Sequence, residues 1–159
     1  MTDLSRTFGK QSVDEQERER RIRRVFEAVA ARYDLMNDLM SMGIHRLWKR
    51  SLVRMAAPVP GQIIVDLAGG TGDVAALMAA PDRQVTVCDP SPAMMQVGRA
   101  RGHLHVQWLE GTGENMPLPP ASVDTVTIAF GIRNVTRIED ALAEVLRVLK
   151  PGGRFLCLE

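Results

Sequence analysis

The stretch Ile63–Asp73, with the sequence IIVDLAGGTGD, constrains the fold more than any other part of this chain. Its first residues are β-branched and apolar, which is typical of a central strand covered on both faces. Three glycines then follow within four positions, and Asp73 stands where a helix would begin. Glycines let a backbone approach a ligand closely because they have no Cβ. The stretch predicts a buried strand, a tight turn and a helix N-terminus that together form a nucleotide-type pocket.

The charge on this loop narrows the class of ligand. Asp66 ends the strand and Asp73 enters the first turn of the helix, so two carboxylates flank the glycines. Such a site would repel a pyrophosphate and attract a cation. S-adenosylmethionine has no phosphate, and its sulfonium and α-ammonium groups are both positive. The residues that we expect to contact such a cofactor here are Asp66, Gly70, Thr71 and Gly72.

A dinucleotide is the alternative ligand. Residues 70–75 match the pattern G-x-G-x-x-A, and Asp89 lies at the end of the next predicted strand. Taken alone, that match favours NAD. A dinucleotide, however, places its pyrophosphate on the helix N-terminus, where the Asp73 carboxylate already interacts with the helix dipole. The sequence therefore favours a methyl donor, and a plain strand–turn–helix connection is the third interpretation.

The composition is that of one globular domain. The chain has 159 residues, of which 45% are hydrophobic, and this is enough for a core. A net charge of +1 and 4% aromatic residues argue against nucleic acid as the main substrate. No apolar run approaches ~18 residues and the N-terminus is charged, so we expect neither a membrane span nor a signal peptide.

The two cysteines indicate a reducing compartment. Cys88 and Cys157 fall within predicted strands and lack a C-x-x-C spacing, so we expect reduced core residues of a cytoplasmic protein. His103 and His105 have no ligand spacing with acids or cysteines either. We therefore predict no disulfide and no metal site.

Residues 1–60 are predicted to form a helical cap. From residue 14 to 32, apolar side chains recur at steps of three and four and form one stripe, made of Ile22, Phe26, Val29, Ala30 and Tyr33. The charged beginning, Asp14–Arg24, favours a solvated face with local ion pairs over a contact with anionic lipid. A second helix is predicted over residues 44–55, and Pro58, Pro60 and Gly61 then break the chain.

Residues 61–159 are predicted to form a cofactor-binding α/β core. Strands are predicted at 63–67, 84–89, 105–109, 123–130 and 154–158, with helices at 73–80, 92–101 and 138–149. This alternation predicts a parallel, Rossmann-like sheet. In such sheets the ligand lies beyond the carboxyl ends of the strands, which are marked here by Asp66, Asp89, Glu110 and Phe130. The topology thus predicts the same site as the glycines.

Two further places beside the glycines are candidate cofactor contacts. Asp89 is positioned to accept both hydroxyls of a ribose, and its alternative role is to cap the helix after Pro92. The two roles are compatible. Residues 110–114, EGTGE, form a loop that could frame an adenine through backbone amides, with a plain connecting loop as an equal alternative.

Two other segments carry the most specific information. Residues 33–48 read YDLMNDLMSMGIHRLW, and residues 130–135 read FGIRNV. Together with 66–73 and with RVLKPGG at 147–153, they resemble, in the correct order, the motifs of the ubiquinone/menaquinone biosynthesis C-methyltransferases. The resemblance covers essentially the whole chain.

This resemblance implies a class I S-adenosylmethionine-dependent methyltransferase with a parallel sheet and N-terminal helices. The implied reaction is methylation of a ring carbon in a polyprenylated quinol, either demethylmenaquinol or the methoxy-polyprenyl benzoquinol precursor of ubiquinol. The implied cofactor positions are Thr71, Asp89, Thr112, Gly113 and Ala129. The family usually has Asp or Asn followed by Ala at 112–113 and Ser at 129, so we expect weaker binding of the same cofactor.

Methylation of a quinol carbon requires in-line alignment and an ionised neighbouring hydroxyl. We assign stabilisation of the phenolate to Arg133, and removal of the proton to Tyr33 or, through water, to His45. The alternatives are an ion pair that fixes a loop for Arg133, core packing for Tyr33 and a structural role for His45.

The expected partner is the polyprenyl quinol itself. Met36, Met40 and Met42 lie near the predicted mouth of the site and would suit an isoprenoid tail, with ordinary helix packing as the alternative. Peripheral association with the inner face of the membrane or with a quinone-synthesis complex, and a homodimer, are further expectations.

Members of the family continue beyond the position of Glu159, through another helix and an antiparallel pair of strands. We therefore expect a C-terminally truncated copy in which the final strands are missing. Truncation keeps a second class open, a noncatalytic cofactor-binding or scaffold fragment of a quinone-synthesis complex. An NAD(P)-binding oxidoreductase is the third.

Overall fold

The computed structural model describes residues 7–8 and 11–159 of the chain. The helices in these residues are α1 (Glu15–Val29), α2 (Tyr33–Ser41), α3 (Ile44–Ala56), α4 (Asp73–Met78), α5 (Pro92–Ala100) and α6 (Ile138–Val148). The strands are β1 (Thr7–Phe8), β2 (Gln11–Ser12), β3 (Ile63–Leu67), β4 (Gln84–Asp89), β5 (Val106–Glu110), β6 (Val123–Ala129) and β7 (Leu149–Leu158). Short 3₁₀ turns occupy Ala30–Arg32 and Ile132–Asn134.

Strands β3 to β7 form one sheet in the order β5-β4-β3-β6-β7, and every neighbouring pair is parallel. From β3 the chain adds β4 and then β5 on one side, and it then returns to place β6 and β7 on the other side. At such a switch point the loops diverge and leave a crevice beyond the carboxyl ends of the strands. The predicted parallel α/β sheet is therefore confirmed, and the crevice lies at the end of the sheet where we predict the ligand.

Apolar layers cover both faces of the sheet. One layer packs α3, α4 and α5 against it and includes Leu52, Ala56, Val74, Met78 and Met95. The other layer is built on α6 and includes Val145 and Val148. Adjacent residues of β3 alternate between the two layers, with Ile64 in the first and Val65 in the second. Both faces of β3 are thus buried, as the run of β-branched residues predicts. Helix α3 belongs to this core although it precedes residue 60, and the domain division at that residue remains a prediction.

Capping residues begin two of the helices. The Asp14 carboxylate accepts a hydrogen bond from the Glu17 N–H at 2.7 Å and caps α1. Ser91 caps α5, because its Oγ accepts the Met94 N–H at 3.3 Å and proline follows at the first helical position. The capping role considered for Asp89 is therefore wrong.

The structure departs from the predicted elements in the N-terminal and C-terminal parts of the chain. The first predicted helix ends at Val29, and a 3₁₀ turn leads into α2, which was not predicted as a separate helix. Strand β7 begins at Leu149, so Pro151–Gly153 lie in an irregularity of the strand and do not precede it. No helix formed by the described residues combines the length and the hydropathy that a bilayer crossing needs.

The cysteines differ from each other in burial. Cys88 is buried in the sheet, and burial raises the pKa of its thiol to about 12. Cys157 is exposed, because it lies on β7, the outermost strand on its side of the described sheet. The expectation of two core cysteines is therefore wrong for Cys157.

Candidate active site

A cavity of about 440 Å³ lies beyond the carboxyl ends of β3, β4 and β6, with residues of α1, α2 and α3 on its other side. Ten of the eleven predicted site residues line it: Tyr33, His45, Asp66, Gly70, Thr71, Asp89, Thr112, Gly113, Ala129 and Arg133. Gly72 is outside the lining, because it is buried against Trp108, whose ring carbon would lie 2.7 Å from an added Cβ. This contact and a φ of 84° account for glycine at the position, and the cofactor contact of Gly72 stays a prediction.

The loop after β3 forms one wall of the cavity. Its backbone is left-handed at Ala68 and Gly70, with φ angles of 52° and 56°. A Cβ on Gly69 would lie 2.7 Å from Oδ2 of Asp66, and one on Gly70 would lie 2.9 Å from Cε of Met94. The turn can therefore follow this path only with small residues, as the predicted hinge requires.

Asp66 is completely buried beneath this loop. Its Oδ1 accepts a hydrogen bond from Oγ1 of Thr127 on β6 at 2.7 Å. Burial raises the pKa of Asp66 to about 7, although the Thr127 hydroxyl and the Lys49 charge oppose the shift. A nearby cation favours the ionised form of such a carboxyl. Asp66 therefore gains negative charge most readily when a positive ligand enters the cavity.

Asp73 has cationic partners of its own. Nζ of Lys49 lies 3.2 Å from Oδ2 of Asp73, and Nη1 of Arg101 lies 3.4 Å from Oδ1. Burial alone would raise the pKa of Asp73, but the positive charges of Lys49 and Arg101 outweigh it and lower the pKa. Of the two carboxylates that flank the glycines, Asp73 is therefore already paired with cationic side chains. The argument for a cationic ligand rests on Asp66.

Asp89 fixes two loops with one carboxylate. Its Oδ2 accepts the Gly70 N–H at 2.9 Å, and its Oδ1 accepts the Ser91 N–H at 2.8 Å. Burial raises the pKa of Asp89, while these two backbone donors oppose the shift. A carboxylate has about four lone-pair positions, so both oxygens can still accept a hydroxyl from a ligand. This arrangement suits the role in ribose binding that we predicted.

The loop after β5 is a compact hairpin. Thr112 and Asn115 exchange two backbone hydrogen bonds of 3.2 Å. Gly113 packs closely, since an added Cβ would lie 3.2 Å from Cβ of Ala141 and 3.3 Å from Cγ2 of Val135. If residue 113 were the alanine that is usual in the family, the side chains of Ala141 and Val135 would have to move by a few tenths of an ångström. An adenine contact here remains a prediction.

Glu114 ties this hairpin to the start of α6. Its Oε1 accepts the N–H groups of Thr136 and Arg137, each at 2.9 Å. These donors lie at the helix N-terminus, where a negative charge is stabilising. The contact fixes the position of the loop relative to the residues after β6.

Arg133 lies in the turn after β6, at the edge of the cavity. Its guanidinium pairs with Glu159 and lies over the ring of Phe130, 5.8 Å from the ring centroid. The ion pair considered as the alternative role of Arg133 is therefore present. The side chain is 59% exposed and a guanidinium has five N–H donors, so the pair leaves donors for a ligand.

Arg18, for which no role was predicted from the sequence, does not line the cavity but holds the turn that carries Arg133. It is buried on α1, and its guanidinium donates to the carbonyl oxygen of Arg133 at 3.2 Å and to Oγ1 of Thr136 at 3.3 Å. Further donations, at 3.4 and 3.5 Å, reach the carbonyls of Asn134 and Val135. The solvated face expected for the beginning of α1 is therefore wrong at this residue. The signal was its spacing, because Arg18 lies four residues before Ile22 in the apolar stripe.

Tyr33 and His45 both reach the cavity from the N-terminal helices. Tyr33 packs on Phe26, with ring centroids 5.8 Å apart. Nε2 of His45 lies 2.7 Å from Oδ1 of Asp38, and its Nδ1 is enclosed with no hydrogen-bond partner among the described residues. Arg46, and then His45, lower the pKa of Asp38, so this carboxylate is ionised and holds the ring. The geometry favours a structural role for His45.

The chain is similar to curated methyltransferases over its whole length. It is 77% identical over 158 residues to the ubiquinone/menaquinone biosynthesis C-methyltransferase UbiE of Rubrivivax gelatinosus, with 99% of the chain and 63% of the relative covered. It is 49% identical over 159 residues to the UbiE protein of Acidiphilium cryptum, with 96% of the chain and 64% of the relative covered. The chain thus spans slightly less than two thirds of the length of these relatives.

Solved structures share the fold. A SAM-dependent methyltransferase of Thermotoga maritima superposes with a TM-score of 0.62 at 28% identity, covering 84% of this chain and 59% of its own. The [4+2]-cyclase SpnF superposes with a TM-score of 0.72 at 20% identity, covering 87% of this chain and 59% of its own, a likeness that shows the fold alone. The family model described as the ubiE/COQ5 methyltransferase family matches residues 13–159. The chain therefore belongs to the ubiE/COQ5 methyltransferase family.

Proposed function

We propose that this chain binds S-adenosylmethionine and that the protein methylates a ring carbon of a polyprenylated quinol. Demethylmenaquinol and the methoxy-polyprenyl benzoquinol precursor of ubiquinol are the proposed substrates. The observation that carries the proposal is the pairing of a buried Asp89, bonded to the Gly70 N–H, with a buried Asp66 beside the same loop. Family membership supports the choice of reaction.

The chemistry of the cavity fits this cofactor. Gly69 and Gly70 line the cavity and carry no side chains, so a ligand can approach the backbone of the loop there. Asp89 presents acceptors for vicinal hydroxyls, and Asp66 favours a positive group. When bound, S-adenosylmethionine supplies an electrophilic methyl group. The residues proposed to hold it are Asp66, Gly70, Thr71, Asp89, Thr112, Gly113 and Ala129.

Three other residues at the cavity are proposed to act on the quinol: Arg133 in the turn after β6, Tyr33 at the start of α2 and His45 on α3. A ring carbon becomes nucleophilic when its neighbouring hydroxyl is ionised, and the Arg133 guanidinium stabilises that developing phenolate. Tyr33 lines the cavity and helps to remove the proton. His45 is proposed to contribute by position, because its bond to Asp38 links α2 to α3 beside the cavity.

The location and partners of the protein follow from the substrate. A polyprenyl tail is insoluble in water, so we propose a cytoplasmic protein that acts at the inner face of the membrane, alone or within a quinone-synthesis complex. A homodimer is a further proposal that a measurement of molecular mass in solution would test.

A noncatalytic cofactor-binding scaffold of a quinone-synthesis complex is the second candidate. The observation that favours it is that two of the proposed catalytic side chains already have partners, since Arg133 pairs with Glu159 and His45 with Asp38. An oxidoreductase is the third candidate, because residues 70–75 match the dinucleotide pattern.

One experiment separates these candidates. The chain is titrated calorimetrically with S-adenosylmethionine and with NADH, and then incubated with methyl-labelled cofactor and a short-tailed demethylmenaquinol. Binding with transfer of label supports the enzyme. Binding without transfer supports the scaffold, and tighter binding of NADH supports the oxidoreductase.

The role of Arg133 has its own test, at saturating cofactor. Replacement Arg133→Ala should lower the rate of methyl transfer about 10²-fold, as does loss of other donors to a developing oxyanion. Arg137→Ala is the matched control, because Arg137 is an exposed arginine nearby that does not line the cavity. A rate within a few fold of the unmodified chain for Arg133→Ala would exclude the assignment.

A further inference from the structure

An exposed apolar surface extends from the mouth of the cavity across α2 and the beginning of α3. We call it the α2–α3 face and define it by Leu35, Leu39, Met40, Met42, Leu47 and Trp48. Leu39, Met40 and Met42 are each about four-fifths exposed or more, and none of the nine residues of α2 is buried. Met40 and Met42 are therefore not packed inside the protein. A contiguous apolar surface of this kind marks an interaction site.

We propose that the α2–α3 face docks on the surface of an anionic lipid bilayer. This inference rests on the proposed function, because it concerns the route by which a lipid-soluble quinol reaches the cavity. It assigns that route to one surface of the molecule.

The first argument is continuity between the face and the cavity. Met40 and Trp48 belong to the face and also line the cavity. The Trp48 ring lies 6.0 Å from the ring of Phe130, which follows β6 at the predicted catalytic end of the site. With the face in contact with the acyl layer, a quinol would enter the cavity along apolar side chains and would not cross water.

The second argument is charge. Helix α3 has no acidic side chain, and of its four cationic ones Arg46 pairs with Asp38 and Lys49 with Asp73. The other two, Arg50 and Arg54, are exposed. The two acids of α2 are neutralised, since Asp34 pairs with Arg101 and Asp38 pairs with Arg46. Basic residues beside exposed Leu, Met and Trp are typical of helices that lie in the interface of an anionic membrane.

The same charges argue against a second copy of the chain as the occupant. In a symmetric dimer the same patch is buried on both copies, so the interface would gather Arg50 and Arg54 from each without an acidic side chain of α3 to pair with them. Lipid phosphates supply the opposite charge, and tryptophan is enriched at the level of the headgroups.

The test measures binding of the 159-residue chain to vesicles. One set is pure phosphatidylcholine, and the other contains equal parts of phosphatidylcholine and phosphatidylglycerol. Binding is followed by sedimentation and by fluorescence in a Trp108→Phe background, in which Trp48 is the only tryptophan. We expect binding to the anionic vesicles, a blue shift of Trp48 emission and weaker binding to phosphatidylcholine.

Two double variants decide whether the face is responsible. Leu39→Glu with Met42→Glu places charges on the face at positions that do not line the cavity, and should weaken vesicle binding at least about tenfold. Leu142→Glu with Leu146→Glu changes two exposed leucines of α6 and should leave binding within about twofold. Arg50→Gln with Arg54→Gln should reduce the preference for anionic vesicles.

The result also has to separate the docking surface from the proposed function. Calorimetric binding of S-adenosylmethionine without vesicles should be unchanged in the Leu39/Met42 variant. If the cofactor fails to bind to any form, the proposed function is wrong, whereas vesicle binding still tests the face. Three results would overturn the inference: no vesicle binding, equal loss in both double variants, or a dimer that the Leu39/Met42 variant dissociates without any effect on vesicles.

Discussion

The bond between Thr127 and Asp66 permits a sharp test, because the same strand offers a matched control. Thr125 and Thr127 are both buried on β6, two residues apart and on the same face of the strand. Thr127 donates to Asp66 at 2.7 Å, whereas Oγ1 of Thr125 has no hydrogen-bond partner among the described residues. Replacement by valine preserves shape and β-branching, so the two variants differ mainly in the bond that is lost.

The expected effects on stability are opposite in sign. Thr127→Val leaves a buried carboxyl without its donor and should lower the free energy of unfolding by about 1–3 kcal/mol. Thr125→Val removes an unsatisfied buried hydroxyl and should leave the stability unchanged or raise it. Both are measured by chemical denaturation followed by tryptophan fluorescence.

The effect should also depend on pH. Burial raises the pKa of Asp66 from its ordinary value of 3.8 to about 7 in the folded chain. Between these two pH values the folded state holds a proton on Asp66 that the unfolded state has lost. The free energy of unfolding therefore falls as the pH rises from the lower value to the higher one. Thr127 favours the ionised carboxylate, so its loss raises the folded pKa further. The deficit of Thr127→Val should therefore be near about 1 kcal/mol at about pH 6 and grow to about 2–3 kcal/mol at about pH 9.

Two results would refute this reasoning. Equal stabilities of Thr125→Val and Thr127→Val would mean that the bond to Asp66 contributes nothing measurable. A deficit of Thr127→Val that stays constant from about pH 6 to about pH 9 would mean that Asp66 does not titrate in this range.

Three other substitutions test separate parts of the structure. Asp89→Asn removes the negative charge of the side chain that accepts the Gly70 N–H and is proposed to accept the ribose hydroxyls. Calorimetry should show S-adenosylmethionine binding at least about tenfold weaker, and an unchanged affinity would contradict the role. Gly98→Ala places a Cβ 2.1 Å from the Trp108 ring and 2.5 Å from the carbonyl oxygen of Thr71, so denaturation should show a loss of up to about 3 kcal/mol in the free energy of unfolding. A neutral result would show that both the ring and the backbone at Thr71 can shift at little cost. Arg18→Lys removes the planar guanidinium that bonds the turn after β6, so the midpoint of thermal unfolding and the rate of methyl transfer should both fall. A rate equal to that of the unmodified chain would exclude a positioning role.

The sheet and the glycine loop were predictable because their signals are local. The β-branched run of β3 and the hinge that follows depend on adjacent residues, and the order of strands then places Asp66 and Asp89 at one edge. The predicted end of β6 and the predicted start of β5 were each wrong by one residue, because Phe130 and His105 take left-handed backbone angles that no propensity indicates.

The electrostatics of the site were not predictable because they depend on distant partners. Asp73 is neutralised by Lys49, 24 residues earlier, and by Arg101, 28 residues later. Lys49 and Arg18 both occupy the buried face of an amphipathic helix, where a charged side chain needs partners. A basic residue in register with an apolar stripe is thus the one sequence signal that could have identified them.

The contact of Arg18 with the turn after β6 has a consequence for biosynthesis. Arg18 and Arg133 are separated by 115 residues in the sequence, so α1 leaves the ribosome long before the hydrogen-bond acceptors of Arg18 have been translated. At ordinary elongation speeds this delay is on the order of ten seconds. During that interval the Arg18 guanidinium lacks the acceptors that it has in the folded chain, so α1 can reach its final position only after residues 133–136 have been made.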